Sequence, residues 1–359
     1  MSAYPATENE NRIPFDDLRG LVSAIFKQCG MPDADAHLLA DSLAHADLRG
    51  VHSHGVLRVP EYVAKLAGKV NPRGRPRVVK DSASALLIDG DNSMGQIGAR
   101  FAMQQAIERA RTSNVALATV RGSNHCGAMA YYALQALPHD MIGWAATNAL
   151  PTMAPWGGVD KIVGINPLAV AIPAAEEPPL VLDAAFSGSS HGKIRVYHQK
   201  GLDIPPNWAF DAAGEPTTDA ALAIEGLLQP IGGYKGVGLA VVMGVLSALL
   251  SGAGYGTELG NMVDGPKTGR DGHFFLAINI AAFEDPAVFK ARVDALIRQI
   301  QAGRRMAGVE RLYAPGGLEA ETEARYRKQG IPLNEETIAG LRGAAAKRGV
   351  NSSALQRKL

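Results

Sequence analysis

The chain has 359 residues, and 47% of them are hydrophobic, so it can form one large domain or two medium ones around a substantial core. Its 36 Lys and Arg residues balance 35 Asp and Glu residues, and the net charge of +1 gives no field that favours nucleic acid or a membrane as partner. Its two cysteines, Cys29 and Cys126, are too few for a disulfide framework or a thiolate metal site and indicate a reducing compartment.

Neither the start of the chain nor its most apolar stretch predicts an export or membrane segment. Residues 1–12 are polar and lack the apolar core of a signal peptide. The longest apolar run, 237–250, is interrupted by Gly238 and Gly244 and is shorter than the roughly 20 residues that a transmembrane helix needs. It predicts a buried helix instead. We therefore expect a soluble, cytoplasmic protein.

The first part of the chain predicts a helical unit. Apolar residues recur at spacings of three and four over 14–49, and the sequence around Gly30 and Pro32 breaks this segment into two helices. Asp33 is in a suitable place to cap the second helix. A third helix is expected over 53–66, and the Gly-, Pro- and Arg-rich stretch 68–77 ends the unit.

Beyond residue 78 the pattern changes to short β-prone runs separated by turns. Strands are predicted at 85–88, 115–120, 142–147, 168–172, 180–182 and 273–280. Helices are predicted at 99–111, 235–250 and 286–302 and in the charged tail beyond residue 319. A glycine-rich connection, 252–270, precedes the last strand.

The order of these elements predicts an α+β (mixed α/β) fold with a β-rich central domain over 79–284. Residues 1–78, joined by 285–359, are expected to form a helical domain. The strands lack the regular helical crossovers of a doubly wound sheet. Gly90, Gly95 and Gly98 do not have the G-x-G-x-x-G spacing of a Rossmann fingerprint, and the sequence contains no P-loop.

The densest polar cluster of the sequence lies at 47–58. If a helix runs from Ser53, then His54 and Arg58 are four residues apart and share one face. A guanidinium can hold a substrate carboxylate through two parallel hydrogen bonds, and an imidazole can exchange a proton with the neighbouring carbonyl oxygen. Ser53 can assist the imidazole or cap the helix. This combination suits the reduction of a 2-oxo acid.

Two other interpretations of this cluster stay open. His45, Arg49 and His52 also lie at helical spacing, so the cluster can be a solvated helix face. A metal site built from His52 and His54 would support a metal-dependent lyase or hydrolase, although no third ligand follows at a usual spacing.

Three further loops carry polar groups or glycines at the ends of predicted elements. His125 lies on the loop 121–127 after the predicted strand 115–120, where it can bind a substrate or simply belong to a glycine-bearing turn. Asp183 ends a predicted strand and can orient an imidazole, bind a ribose or form a turn. Lys235, in the glycine-rich segment 232–238, precedes a helix whose N-terminus favours an anion. Close helix packing explains those glycines equally well.

Taken in order, these segments resemble a known family over nearly the whole chain. The sequence is similar to the malate/L-lactate dehydrogenase family of the non-Rossmann kind, which includes ureidoglycolate, sulfolactate and diketogulonate enzymes and the Δ1-piperideine-2-carboxylate/Δ1-pyrroline-2-carboxylate reductases. The matching segments are His52-Ser53-His54-Gly55-x-x-Arg58, Ser123-Asn124-His125-x-Gly127, Thr147-Asn148, Ala154-Pro155-Trp156-Gly157-Gly158, Asn166-Pro167, Gly192-Lys193-Ile194, Gly233-Tyr234-Lys235-Gly236-x-Gly238-Leu239, Ala314-Pro315-Gly316 and Gly330-Ile331-Pro332-Leu333.

The resemblance implies an NAD- or NADP-dependent oxidoreductase, usually a homodimer, whose cofactor domain is the β-rich one and whose helical domain serves the substrate and dimerisation. It implies that His54 is the proton donor with Ser53 beside it and that His125 is a substrate-side histidine, which some members use as proton acceptor. It also implies that Asp183 supports the relay. The implied substrate contacts are Arg58, His125 and Thr147. The implied cofactor contacts are His54, Asn124, Ala149, Leu182, Asp183, Ala184, Tyr234, Lys235, Pro315, Gly316 and Gly317, and no metal is implied.

The sequence departs from the family pattern at three places near the implied cofactor contacts. Ala184-Ala185-Phe186-Ser187 stands where the family usually has Met-Ala-Thr-Ser, Ala149 where it often has serine, and Gly317 where it commonly has glutamate. The expected reaction is hydride transfer to or from a small 2-oxo or 2-hydroxy acid. A cyclic imine reductase that uses the same carboxylate grip and a catalytically inactive binding protein are the remaining alternatives.

Overall fold

The computed structural model describes residues 10–261 and 265–356, so most of the polar segment 1–12 lies outside the described residues. Within these ranges the chain forms eleven α-helices: α1 Phe15–Lys27, α2 Asp33–Leu48, α3 Val59–Ala67, α4 Gly95–Ser113, α5 Ala130–Ala133, α6 His191–Gln199, α7 Ala220–Glu225, α8 Tyr234–Gly244, α9 Pro286–Gln301, α10 Gly317–Gln329 and α11 Glu335–Ala346. The strands are β1 Asn11–Ile13, β2 Arg77–Asp81, β3 Ala85–Asp89, β4 Val115–Ser123, β5 Met141–Thr147, β6 Pro151–Met153, β7 Val163–Gly164, β8 Leu168–Ile172, β9 Leu180–Ala184, β10 Ala209–Phe210, β11 Pro216–Thr217, β12 Leu227–Leu228, β13 Gly260–Asn261, β14 Gly265–Pro266, β15 Asp271–Asn279 and β16 Ile331–Leu333.

A seven-stranded sheet in the order β2-β3-β4-β15-β5-β8-β9 forms the centre of the molecule. Its strands pair antiparallel except β3 and β4, which are parallel and are connected through α4. Small side chains on α4, such as Ala102 and Ala106, pack in one core with Ala118 of β4 and Ala277 of β15. Alanines at such an interface let the helix approach the strands closely. The α+β class and the absence of a doubly wound sheet are confirmed.

Helices α1, α2 and α3 enclose a second hydrophobic core, and the end of the chain returns to it. Strand β16 pairs with β1, and Ile338 and Leu341 of α11 are buried with the residues of α1 and α2. Helix α9 instead packs Val293 and Ile297 with Ile172 and Leu180 at the β8–β9 edge of the sheet. The division of the chain into 1–78 with 285–359 and 79–284 stays a prediction.

The start of α2 and the edge of the sheet differ from the sequence-based expectations. The N-cap position of α2 is held by Pro32, and Asp33 begins the helix while its carboxylate pairs with Lys27 Nζ at 3.0 Å. Strand β2 was not predicted, because its residues are mostly exposed at the sheet edge and show no alternation of apolar and polar side chains.

The apolar segment 235–250 forms α8 followed by a π-helical turn, Val245–Leu249, and only one side of it is buried. Ala240, Met243 and Ala248 face the protein, whereas a row of large apolar side chains is 40–55% exposed: Leu239, Val242, Val245, Leu249 and Leu250. The sequence predicts that the whole helix is buried, and this is wrong for the exposed row of side chains in the single chain. In the described ranges, no helix is long and apolar enough to cross a membrane.

Candidate active site

A buried carboxylate shapes the turn that carries the first catalytic candidates. Asp47, near the end of α2, is only 1% exposed. One of its oxygens lies 2.7 Å from His52 Nδ1, and the other accepts a hydrogen bond from the backbone N–H of Val56 at 2.6 Å. Gly55 is extended between them, and a Cβ atom there would overlap the Asp47 carboxylate. The turn therefore wraps closely around Asp47.

Because the turn wraps around Asp47, the predicted start of the helix at residue 53 is wrong. Two short 3-10 turns, His52–His54 and Val56–Arg58, flank Gly55, and the α-helix begins only at Val59. Gly55 is extended, with φ of −89° and ψ of −155°, so no regular helix can run through it from Ser53. His54 and Arg58 consequently do not share the face of one α-helix, although they remain neighbours in space.

His54 is held by its predicted neighbour. Its Nδ1 lies 2.9 Å from Ser53 Oγ, and the ring is partly buried against the protein. Burial lowers the pKa of His54 to about 4, and the positive charge of Arg58 adds to this effect. The imidazole is thus neutral at pH 7 and can accept a proton.

His125, which follows a strand of the central sheet, lies next to His54. It lies on the loop that follows β4, and its ring is stacked on that of His54 with centroids 5.6 Å apart and an angle of 16° between the planes. Its Nδ1 is 2.6 Å from the hydroxyl oxygen of Tyr62. Burial, followed by the charge of Arg58, keeps the pKa of His125 well below its usual value. The structure therefore brings the two predicted histidines together as a pair of neutral rings.

Arg58 lies beside this pair and is held by hydrogen bonds on two of its nitrogens. Its Nε donates to the backbone oxygen of Ser53 at 2.9 Å, and its Nη1 donates to Glu61 at 2.9 Å. Glu61 also pairs with Lys65 Nζ at 2.8 Å. These three side chains carry a net positive charge next to the imidazoles, which suits an anionic substrate.

Two other predicted contacts, Thr147 and Asn124, form hydrogen bonds to neighbouring strands and loops. Thr147 is buried, and its hydroxyl lies 2.8 Å from Nδ1 of the buried His273, whose Nε2 is 2.7 Å from Ser123 Oγ. The side-chain amide of Asn124 donates to the backbone oxygen of Ser93 at 2.8 Å and accepts from the N–H of Gly269 at 3.0 Å. Thr147 and Asn124 thus fix the strand ends from which the His125 loop starts.

A cleft of about 190 Å³ opens next to Ser53 and His54. Asp183, at the end of β9, faces this cleft and accepts a hydrogen bond from the N–H of Ala130 at 2.8 Å. The surrounding protein raises the pKa of Asp183 to about 6 through desolvation, and the hydrogen bond from Ala130 partly offsets this. The structure therefore places the Asp183 carboxylate and the His54 imidazole in one cleft.

The other predicted cofactor residues fall into two groups. Pro315 and Gly316 pack against β9, the strand of Leu182, Asp183 and Ala184: the oxygen of Pro315 accepts from Val181 N at 3.0 Å, and a Cβ on Gly316 would lie 2.8 Å from Val181. Gly317 begins α10, whose Glu319 lines the cleft.

The second group lies outside the lining of the cleft. Tyr234 and Lys235 are exposed at the start of α8. Ala149 is connected to that helix because its N–H donates to Asn166 Oδ1 at 2.9 Å and Asn166 donates to the oxygen of Ala240 at 2.7 Å.

The cleft fits part of the nicotinamide cofactor that the sequence implies. Its lining is mainly apolar and includes the carboxylate of Asp183, which can bind a ribose hydroxyl. Ser190, which caps α6, also lines it. Next to Ser190, the buried Ser189 Oγ and both ring nitrogens of His191 have no hydrogen-bond partner among the described residues. A polar ligand at the start of α6 would satisfy such groups.

The geometry does not favour a metal site built from His52 and His54. His52 binds Asp47, whereas His54 binds Ser53, so the two imidazoles serve different partners. Among the residues that the structure describes, no three His, Cys, Asp or Glu side chains are placed to hold a metal ion. In the described ranges, His52 and His54 thus have no third side chain of these types beside them to complete a metal site.

Sequence reasoning missed four residues that hold the site together: Asp47, Tyr62, Gln96 and His273. Tyr62 follows Arg58 by four residues within the segment expected to be helical, and this spacing was the available signal that it faces the same region. Gln96 and His273 meet the site only through contacts with residues at least 34 positions away in the chain.

Comparison with known proteins agrees with this architecture. A family model described as malate/L-lactate dehydrogenase matches residues 13–342. The chain is 38% identical to a malate dehydrogenase of Pyrococcus abyssi over 96% of both chains. It is 32% identical to a Δ1-pyrroline-2-carboxylate/Δ1-piperideine-2-carboxylate reductase of Pseudomonas putida, over 95% of this chain and 99% of that protein.

A solved structure of a sulfolactate dehydrogenase from Methanocaldococcus jannaschii superimposes with a TM-score of 0.88 and 35% identity, covering 95% of this chain and 98% of that one. The family match, the two relatives and this structure each span nearly the whole chain. They confirm the resemblance that the sequence motifs predict. The chain therefore belongs to the malate/L-lactate dehydrogenase family.

Proposed function

We propose that this enzyme transfers a hydride between NAD or NADP and carbon 2 of a small 2-oxo or 2-hydroxy acid of the malate or lactate type. The observation that carries the proposal is the pair of stacked neutral imidazoles, His54 and His125, beside Arg58 at the edge of the cleft. Relatives named as malate and sulfolactate dehydrogenases support this substrate class.

The nicotinamide would supply the hydride in reduction and accept it in oxidation. Asp183 would hold a ribose hydroxyl, and Leu182, Ala184 and the turn of Pro315, Gly316 and Gly317 would line the same wall. Asn124 and Ala149 would fix the backbone near the ring. Tyr234 and Lys235 would bind the more distant, anionic part of the cofactor.

The proton moves through His54. When a 2-hydroxy acid is oxidised, the hydroxyl proton passes to His54 Nε2, because Nδ1 already faces Ser53 at 2.9 Å. The hydrogen on C2 leaves as hydride, together with the electron pair of the C2–H bond. The electron pair of the former O–H bond then forms the carbonyl double bond between C2 and oxygen. In the reverse direction, the imidazolium returns the proton to the carbonyl oxygen as hydride arrives.

The pKa of His54 sets the pH dependence of the two directions. Because its pKa is lowered to about 4, roughly 95% or more of His54 is in the neutral form at every pH from 5.5 to 8. We therefore expect kcat/KM for oxidation to stay constant over this range. Reduction requires the protonated ring and should lose about tenfold in kcat/KM for each pH unit. Initial rates in both directions test this. The rates are taken at saturating cofactor, so that protonation of Asp183, whose pKa is about 6, does not weaken cofactor binding. Under these conditions a fall in oxidation below about pH 6.5 would contradict the lowered pKa of His54.

Arg58 would hold the carboxylate of the substrate. We expect Arg58→Lys to raise KM about 10- to 100-fold with a smaller effect on kcat, because an ammonium cannot bond Ser53 O, Glu61 and a substrate carboxylate in the same planar arrangement. Arg75→Lys is the matched control, since Arg75 forms an ion pair with Asp35 at the exposed surface. An unchanged KM would contradict the assignment.

Reduction of a cyclic imine is the second candidate, and the Pseudomonas putida relative favours it. It uses the same carboxylate grip but protonates nitrogen. Absorbance of reduced nicotinamide should be followed with both cofactors against pyruvate, oxaloacetate and the two cyclic imines. Faster turnover of the 2-oxo acids supports the main proposal, and faster turnover of the imines supports the second. Turnover of neither class would contradict both.

We further propose that the enzyme is a homodimer that covers the exposed apolar face of α8 with a second copy. Two-fold symmetry can bring the same row of side chains together in both subunits. We expect Leu249→Asp to yield monomers in sedimentation equilibrium, because a carboxylate would be buried in that contact. Leu222→Asp, at a similarly exposed leucine on α7, should leave the dimer intact. A monomeric wild-type protein would contradict the proposal.

A cytoplasmic location is also proposed. In the part of the chain that the structure describes, Cys29 and Cys126 are free thiols, and burial raises the pKa of both. Such thiols are typical of a reducing compartment. Cell fractionation with an antibody against the protein tests this location, and recovery from the secreted fraction would contradict it.

A further inference from the structure

A short chain of hydrogen bonds stands behind His125. The amide nitrogen of Gln96 donates to the hydroxyl oxygen of Tyr62 at 3.2 Å, and this oxygen lies 2.6 Å from His125 Nδ1. Tyr62 and Gln96 are completely buried, on α3 and α4 respectively. Neither residue has a role in the proposed hydride and proton transfer.

Counting protons along this chain decides which nitrogen of His125 is protonated. Tyr62 has one hydroxyl proton, and burial raises its pKa, so the proton stays on at neutral pH. Its oxygen already accepts from Gln96. Among the described residues, His125 Nδ1 is the acceptor that lies within hydrogen-bond distance of this hydroxyl. A neutral imidazole that accepts at Nδ1 carries its proton on Nε2.

We propose that Tyr62 is a positioning residue that fixes His125 in the Nε2–H form, so that His125 donates a hydrogen bond to the C2 oxygen of the substrate while His54 alone exchanges the proton. This inference rests on the proposed function. It deepens that function by giving two adjacent histidines different roles.

The partner of each Nδ1 atom explains the difference. Ser53 Oγ faces His54 Nδ1, and a serine hydroxyl can both donate and accept, so His54 is able to change its protonated nitrogen during the reaction. The hydroxyl of Tyr62 is oriented by Gln96 and acts on His125 as a donor only. A fixed Nε2–H stabilises the negative charge that builds on the carbonyl oxygen as hydride arrives.

The tautomer can be measured without turnover. In cofactor-free enzyme labelled with ¹⁵N- and ¹³C-histidine, we expect the His125 signals to show an unprotonated Nδ1 and a protonated Nε2, with His125→Asn identifying the signals. Tyr62→Phe should let the Nδ1–H form appear. A wild-type His125 protonated at Nδ1, or a tautomer unaffected by Tyr62→Phe, would overturn the proposal even if the enzyme is active on 2-oxo acids.

Kinetics give the second readout. Tyr62→Phe keeps the ring in its core and removes one hydroxyl, and we expect kcat to fall about 10- to 100-fold with KM within a few-fold, since a misplaced donor acts mainly in the transition state. Tyr326→Phe removes a hydroxyl from another buried tyrosine of the same hydrophobic core and should leave kcat unchanged. Equal effects of both variants on kcat, or a change in KM alone, would contradict the proposal.

Discussion

Replacing His54 by alanine is expected to lower kcat by about 10²- to 10⁴-fold, the range that a positioned acid or base usually contributes. The hydroxyl of the substrate must lose its proton as the hydride leaves, and in the alanine variant only water would take it. Ser53 would remain but lose the imidazole that it faces at 2.9 Å. The measurement is the initial rate at saturating substrate and cofactor, followed by the absorbance of reduced nicotinamide.

The control for this variant is His139→Ala. His139 is exposed near the end of the 3-10 turn before β5 and contacts Arg111, so its loss should leave kcat unchanged. The His54→Ala protein should also keep the thermal unfolding midpoint of the wild type within a few degrees, because the ring borders a cleft and not the core. A kcat within a few-fold of wild type would remove His54 from the mechanism.

The sequence could name candidate groups for the site because the reactivity of a side chain belongs to its residue type. An imidazole and a guanidinium close together in sequence are able to exchange a proton and to bind a carboxylate, which made His54 and Arg58 candidates. The helix expected to carry His54 and Arg58 was wrong, yet the two side chains remain neighbours. Their proximity depends on sequence separation more than on the type of turn between them.

The local backbone was not predictable because a side chain from the preceding helix decides it. Asp47 binds the N–H of Val56 and excludes any side chain at Gly55. In the sequence, Asp47 looks like another polar residue of an exposed cluster. Its burial becomes visible only when the turn is folded over it.

The sequence also did not indicate residues that support the site through hydrogen bonds to positions far away in the chain. Tyr62 and His125 are 63 positions apart, and His273 is 150 positions from Ser123. A single sequence gives such residues the appearance of ordinary core or strand positions. The apolar helix α8 shows a related limit: hydrophobicity predicts that a face is covered, but does not tell whether the same chain or a second copy covers it.

Gly55→Ala is the second variant for which we expect a large effect. A methyl group at this position would overlap the Asp47 carboxylate. Because this carboxylate is buried and bound to both His52 and Val56, neither Asp47 nor the turn can move away easily. Either the turn moves or Asp47 loses these partners. We expect the free energy of unfolding to fall by about 2–4 kcal/mol. Because Ser53 and His54 lie on the displaced turn, kcat should fall about 100-fold or more.

The backbone at Gly55 has φ of −89°, so conformational strain does not contribute and the effect measures crowding against Asp47. Gly20→Ala, on α1, is the matched control, because its new methyl group would meet no neighbouring atom within 4 Å. Chemical denaturation and kcat should be measured for both variants. Combining Gly55→Ala with Asp47→Ala should restore part of the lost stability, since the clash disappears. If Gly55→Ala retains wild-type stability and turnover, the turn does not enclose Asp47 and the placement of His54 derived from it fails.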